Sequence, residues 1–152
     1  MGVIKGAALS VILLMLGSWA VAQSNTLIDK LLGQKEATLD LTAYMVVVGG
    51  GWVKEDSPPN QALAFAMKQG WVTAGRSAEA AVSAEDFALL AMHGLRMEGG
   101  IGWSLFRTGR YAYRELVALG VYGATWPPGR ILSGEDVIRL LGSLMGSDRR
   151  RP

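Results

Sequence analysis

Cysteine is absent from this sequence, and histidine occurs once, at position 93. No disulfide can staple the fold, and no cysteine can carry a lipid. One imidazole without any thiol falls short of a usual zinc ligand set, so neither a metal nor a cofactor is expected. A lone histidine near a helix end, with no partner nucleophile, reads as structural or solvated. Alternating β-branched stretches are scarce, while alanine and leucine are common, which favours helices. Past residue 22 charges interrupt every apolar run, so no later segment is expected to cross a bilayer. Charge of one sign is also lacking. Apart from Lys5 and the Arg149–Arg151 run, acidic and basic residues nearly balance, and the overall charge points to no particular partner.

What is present begins with the N-terminus. Lys5 precedes an apolar stretch from Ala7 to Leu16, and Ala20-Val21-Ala22 forms a small-residue cleavage site before Gln23. The pattern predicts a secretory signal peptide over 1–22. The remainder divides into one all-helical domain over 23–147 and a disordered basic tail over 148–152. Half of the residues are hydrophobic, enough for a packed core, and 20 glycines predict short, interrupted helices.

A repeat organises that domain. Ser83 and Ser133 are fifty positions apart, and so are Glu85 and Glu135, Asp86 and Asp136, and Leu90 and Leu140. Upstream, Ala62 pairs with Ala112 and Gly70 with Gly120 at the same offset. A weaker copy starts at Thr38, with Asp40 at the place of Glu85 and a loop five residues shorter. The serines read as N-caps, with Asp86 and Asp136 three residues on completing capping boxes. Phe87, Leu90, Ala91 and Gly94 make an apolar stripe, matched by Val137, Leu140, Leu141 and Leu144. Gly70 and Gly120 read as helix-ending glycines. The expected fold is therefore all-α, with helix-loop-helix units in two full copies plus a half copy. Thr26 to Leu32 could supply the missing second helix and close the body into three helix pairs.

The helix starts "SAEDFALL" and "SGEDVIRLL", with the glycine elements "GWVTAG" and "GVYG", resemble the S-layer homology repeat over most of Thr38 to Gly146. That resemblance implies a helical envelope module. Family members that hold pyruvylated wall polysaccharide use an arginine in the helix start. Leu39, Ala84 and Gly134 occupy the matching positions here, and Leu41 replaces the acidic residue in the first copy.

One segment mixes aromatics with cations. In "GGIGWSLFRTGRYAYRE", Gly99 to Glu115, the candidate binding residues are Trp103, Arg107, Arg110, Tyr111 and Arg114. Guanidinium forks bind carboxylate or phosphate at two points, and aromatic faces stack on rings. The spacing of Arg107, Arg110, Tyr111 and Arg114 predicts one shared helix face. The same residues also fit an ordinary helix with Phe106, Tyr113 and Val117 buried and the arginines solvated. The glycine loops "GGGW" and "GGIGW" read as hinges, and "WPPG" as a rigid turn.

No nucleophile–base pair is legible, and the paired carboxylates are explained by capping. The sequence thus predicts a non-enzymatic, exported binding or scaffolding module of the bacterial cell envelope, in the periplasm or at the cell surface. Its expected partner is an envelope protein. The alternative is a cell-wall glycan, either peptidoglycan or an anionic wall polymer. Nucleic acid is not expected. If the leader is cleaved as its small-residue site predicts, intact mass of the exported protein will match a chain beginning at Gln23. A retained Met1 would show an uncleaved anchor.

Overall fold

The computed structural model describes residues 24–123 and 125–148; the expected signal peptide and residues 149–152 of the basic tail lie outside the described residues. The described chain is all-helical. A first helix, α1, covers 24–32. It is followed by α2 (Leu39–Gly49), α3 (Pro59–Lys68), α4 (Ala84–Gly94), α5 (Ile101–Phe106), α6 (Gly109–Ala118) and α7 (Gly134–Asp148). Among the described residues, extended pairing is confined to two isolated bridges, Thr38 with Ala81 and Ser83 with Ile131. Helix α7 runs through Asp148, the first residue of the expected tail.

Three helices begin around one buried point. The Ala37 N–H donates to the Leu132 carbonyl at 2.8 Å, Leu132 to Val82 at 2.9 Å, and Val82 to Ala37 at 3.0 Å. The three bonds close a ring, and all three residues are fully buried. Each stands immediately before an N-terminal residue of a helix: Thr38, Ser83 or Ser133. A second set of bonds surrounds the ring. The N–H groups of Leu39, Ala84 and Gly134 donate to the carbonyls of Ala80, Arg130 and Gln34. In this way the link after α3 returns to the start of α2, and the link after α6 to the start of α4. The chain leaving α1 meets the start of α7. Helices α2 and α3 pack on each other, as do α4 and α6, and α2 also touches α4.

The helix starts are capped in two ways. Ser83 accepts from the Asp86 N–H at 3.1 Å, and the Asp86 carboxylate accepts from the Ser83 N–H at 3.0 Å. Ser133 and Asp136 repeat both bonds at 3.1 and 3.3 Å. At the first start, where Leu41 replaces the acid, the Gln34 side-chain oxygen accepts from the Thr38 N–H at 2.9 Å. Asp40 then accepts from the Leu41 N–H at 2.7 Å. Both box carboxylates are held by arginine. Arg76 bonds both oxygens of Asp86 at 3.1 Å. Arg139 bonds Asp136 at 2.7 Å, with Arg130 at 3.7 Å. Burial pushes the Asp136 carboxyl up, but Arg139, the Ser133 N–H and Arg130 outweigh it and leave the group below its usual range.

The helix ends share a motif as well. Gly70 and Gly120 adopt positive φ, +74° and +71°. The residue after each donates back to the last turn, Trp71 to Ala66 and Val121 to Leu116. This is the Schellman closure. Helix α2 ends the same way at Gly51, and α4 at Arg96, where φ is +52° without a glycine.

The core follows from these constraints. Tyr44, Phe87, Leu90, Leu116, Leu132 and Leu140 are almost completely buried between the helices. Val46 and Val47 are also sealed, so burial overrides the weak helix propensity of a valine run in α2. Glycine 134 is required by close approach: a Cβ there would fall 1.6 Å from the Leu31 carbonyl oxygen. A Ser83→Ala change removes one cap and should cost about 1 kcal/mol. Gly134→Ala forces backbone apart at the ring and should cost clearly more. Denaturant unfolding of the two variants beside the parent checks the order, and equal losses would contradict the geometry.

Candidate functional site

The C-terminal ends of α2 and α4 lie against each other. A Cβ on Gly50 would reach 2.1 Å from the Gly94 carbonyl oxygen, and one on Gly94 would reach 2.3 Å from Val46. The Trp52 indole N–H donates to that same Gly94 carbonyl at 2.6 Å. This pins Trp52 over the end of α4. Phe65 and Trp71 complete the cluster, with Trp52 and Trp71 edge-on at 5.1 Å.

Beside this cluster opens a groove of about 620 Å³. Trp52, Trp71, His93 and Trp103 form its aromatic wall, and Arg96, Glu98, Ser104 and Arg107 are among its polar residues. His93 lies parallel to Trp71 at 5.7 Å and edge-on to Trp103 at 4.8 Å. Burial lowers the His93 pKa from its ordinary 6.5, a backbone hydrogen bond with Arg107 opposes this, and the Arg107 charge adds to the lowering. Burial and the Arg107 charge thus both disfavour the protonated ring.

The two arginines of the groove share an unusual backbone. Arg96 (φ +52°) and Arg107 (φ +46°) are the non-glycine residues with left-handed φ among the described residues. Such conformations cost of order 1–3 kcal/mol each and gather at functional sites. Each lies over a tryptophan, Arg96 at 3.9 Å from Trp52 and Arg107 at 5.9 Å from Trp103. Arg96 also donates to the Gly50 carbonyl at 2.8 Å.

The residues expected to form one binding face are divided by the fold. Trp103 and Arg107 line the groove. Arg110, Tyr111 and Arg114 lie on α6 outside it. Arg107 does not share their helix face, because α5 ends at Phe106 and Arg107 turns left-handed before α6 begins at Gly109. Tyr111 stacks on Phe106 at 5.0 Å. Trp103 is buried, whereas Phe106 is 58% exposed, the reverse of an ordinary helix with Phe106 in the core. His93, Arg96, Trp52 and Trp71 were not singled out by spacing. The Trp52 and Arg96 positions do follow helix-ending motifs, a signal readable only once the helix ends are known.

Leu39, Ala84 and Gly134, the positions that the resemblance to the S-layer homology repeat sets against an arginine, are all buried beside the central ring. A long cation has no outlet there. Among the described residues no group of three or more metal-ligating side chains forms, and no helix is long and apolar enough to cross a membrane.

Disfavouring the protonated His93 ring makes the fold sensitive to acid. Its folded pKa lies below the unfolded one, so its contribution is complete above about pH 6.5 and declines as pH falls through the folded value. The melting temperature of the parent should therefore drop more between about pH 7 and pH 5 than that of His93→Gln. Since this is the sole histidine, NMR titration of its ring reads the lowered pKa directly.

No protein-family model, curated protein or solved structure matches this chain.

Proposed function

We propose that this protein is an exported, non-catalytic binding module of the bacterial cell envelope, and that the groove at the ends of α2 and α4 receives a segment of a partner protein. The observation that carries this reading is the pair of left-handed arginines, Arg96 and Arg107, set on the same groove. Each left-handed residue closes a helix, Arg96 ending α4 and Arg107 ending α5, and the two closures bring both guanidinium groups to one cleft. Glu98 gives the polar residues both signs of charge around an aromatic floor. A protein interface has the same anatomy, with a largely apolar centre and a polar rim.

A wall glycan is the second reading, favoured by the concentration of tryptophan. Sugar rings need open aromatic faces, however. Trp71 and Trp103 are 7% and 3% exposed, and Arg96 already covers Trp52. The aromatic groups are largely occupied with one another, so the protein reading takes precedence.

The left-handed backbone supplies a clean test. Glycine at positions 96 and 107 removes both guanidinium groups and relieves backbone strain at the same time. Arg96→Gly with Arg107→Gly should keep or raise the melting temperature. A charge-assisted contact contributes about 1.5–3 kcal/mol, so losing two should weaken partner affinity by about a hundredfold or more. Parent and variant are compared for retention of envelope proteins and for binding to purified peptidoglycan sacculi. Protein retention lost in the variant supports the reading. Arginine-dependent binding to sacculi instead would establish the glycan reading, and equal retention by both chains would remove the groove from consideration.

A further inference from the structure

Helix α5 presents its apolar residues in an unexpected direction. Trp103 points inward and is 3% exposed. Ile101 and Leu105, four residues apart and so on one face, are 81% and 71% exposed. With Phe106 at 58%, these are the most exposed large hydrophobic residues of the described chain. Helix α5 packs chiefly on α6. The face carrying Ile101 and Leu105 is distinct from the groove that Trp103 lines.

The neighbouring helix is basic. Arg110 and Arg114 are exposed, lie one turn apart on α6, and form no ion pair among the described residues. They flank Tyr111, which packs against Gly102 of α5 and stacks on Phe106. Over Gly99 to Ala118 there are three arginines and one carboxylate, Glu115, half-buried against Gly100, and the Glu85 side chain of α4 reaches Gly109 at the start of α6. The hairpin thus combines an open aliphatic pair, a stacked aromatic pair at its edge and two exposed arginines, Arg110 and Arg114.

We propose that the outer face of α5, with Arg110 and Arg114 beside it, docks on an anionic lipid bilayer. Ile101 and Leu105 enter the boundary between headgroups and acyl chains. Phe106 and Tyr111 lie at headgroup level, where aromatic rings are favoured. The two arginines meet lipid phosphates. Size separates this from a protein contact: a standard interface recruits about 20–30 residues a side, and here the apolar face is three side chains. A second copy of the chain would also bring like charges together. A few inserted side chains with adjacent cations are enough for reversible attachment to a charged membrane.

The absence of cysteine makes the test site-specific. Leu105→Cys carries an environment-sensitive fluorophore, and Lys68→Cys, exposed on α3, carries the same label as control. Vesicles of phosphatidylcholine mixed with phosphatidylglycerol should shift the Leu105→Cys emission to the blue and leave Lys68→Cys unchanged. Pure phosphatidylcholine should act weakly. Arg110→Glu with Arg114→Glu should lower vesicle affinity by at least about twenty-fold, since each basic group near an anionic surface contributes roughly fivefold. Ile101→Ser with Leu105→Ser, both on open surface, should reduce vesicle cosedimentation at an unchanged melting temperature. An unshifted label at position 105 would overturn the proposal, even if the chain bound vesicles through another segment. So would a shift indifferent to lipid charge. A shift produced by envelope protein but not by vesicles would assign the face to a protein partner.

Discussion

The ring of backbone hydrogen bonds joining Ala37, Val82 and Leu132 is the constraint on which the rest of this fold depends. Peptide groups sealed from water must be paired, and here the pairing closes without an open end. Because each bond joins segments far apart in sequence, no two of the helix starts can be placed independently. The surrounding bonds from Leu39, Ala84 and Gly134 fix the direction in which each helix leaves. Buried leucines, phenylalanine and tyrosine then fill the space between helices already aimed.

That arrangement explains why the groove lies where it does. The helix starts are occupied by the ring, its caps and the arginines that hold the cap carboxylates. They have no room for a ligand-binding cation at Leu39, Ala84 or Gly134. The C-terminal ends of α2 and α4 are open instead. There Gly50 and Gly94 let two backbones approach, Trp52 locks onto the Gly94 carbonyl, and the groove forms beside them. One end of the helices supplies stability and the other supplies accessible polar groups.

Arginine has three separate roles in this structure. Arg76, Arg130 and Arg139 neutralise cap carboxylates. Arg96 and Arg107 line the groove, and the left-handed backbone fixes where their side chains originate. Arg110 and Arg114 stand free in solvent beside an apolar helix face. Sequence spacing grouped Arg107 with Arg110 and Arg114 because it treated the segment as one helix. The break at Arg107 and Thr108 separates them.

The sequence by itself determined the helical class, the capped starts at Ser83 and Ser133 and the glycine ends at Gly70 and Gly120. These are local properties: a side-chain oxygen meets an N–H within three residues, and a positive φ is adopted most readily by glycine. Of the five candidate binding residues it named, Trp103 and Arg107 line the groove, and Arg110, Tyr111 and Arg114 do not. Tertiary structure alone decided that Gln34 stands in for a missing cap carboxylate, that Trp71 and Trp103 enclose His93, and that Arg96 ends α4 without glycine. It alone turned Ile101 and Leu105 outward and Trp103 inward. Each of these depends on the contact of residues distant along the chain, and the energies that select them arise only when the helices have packed.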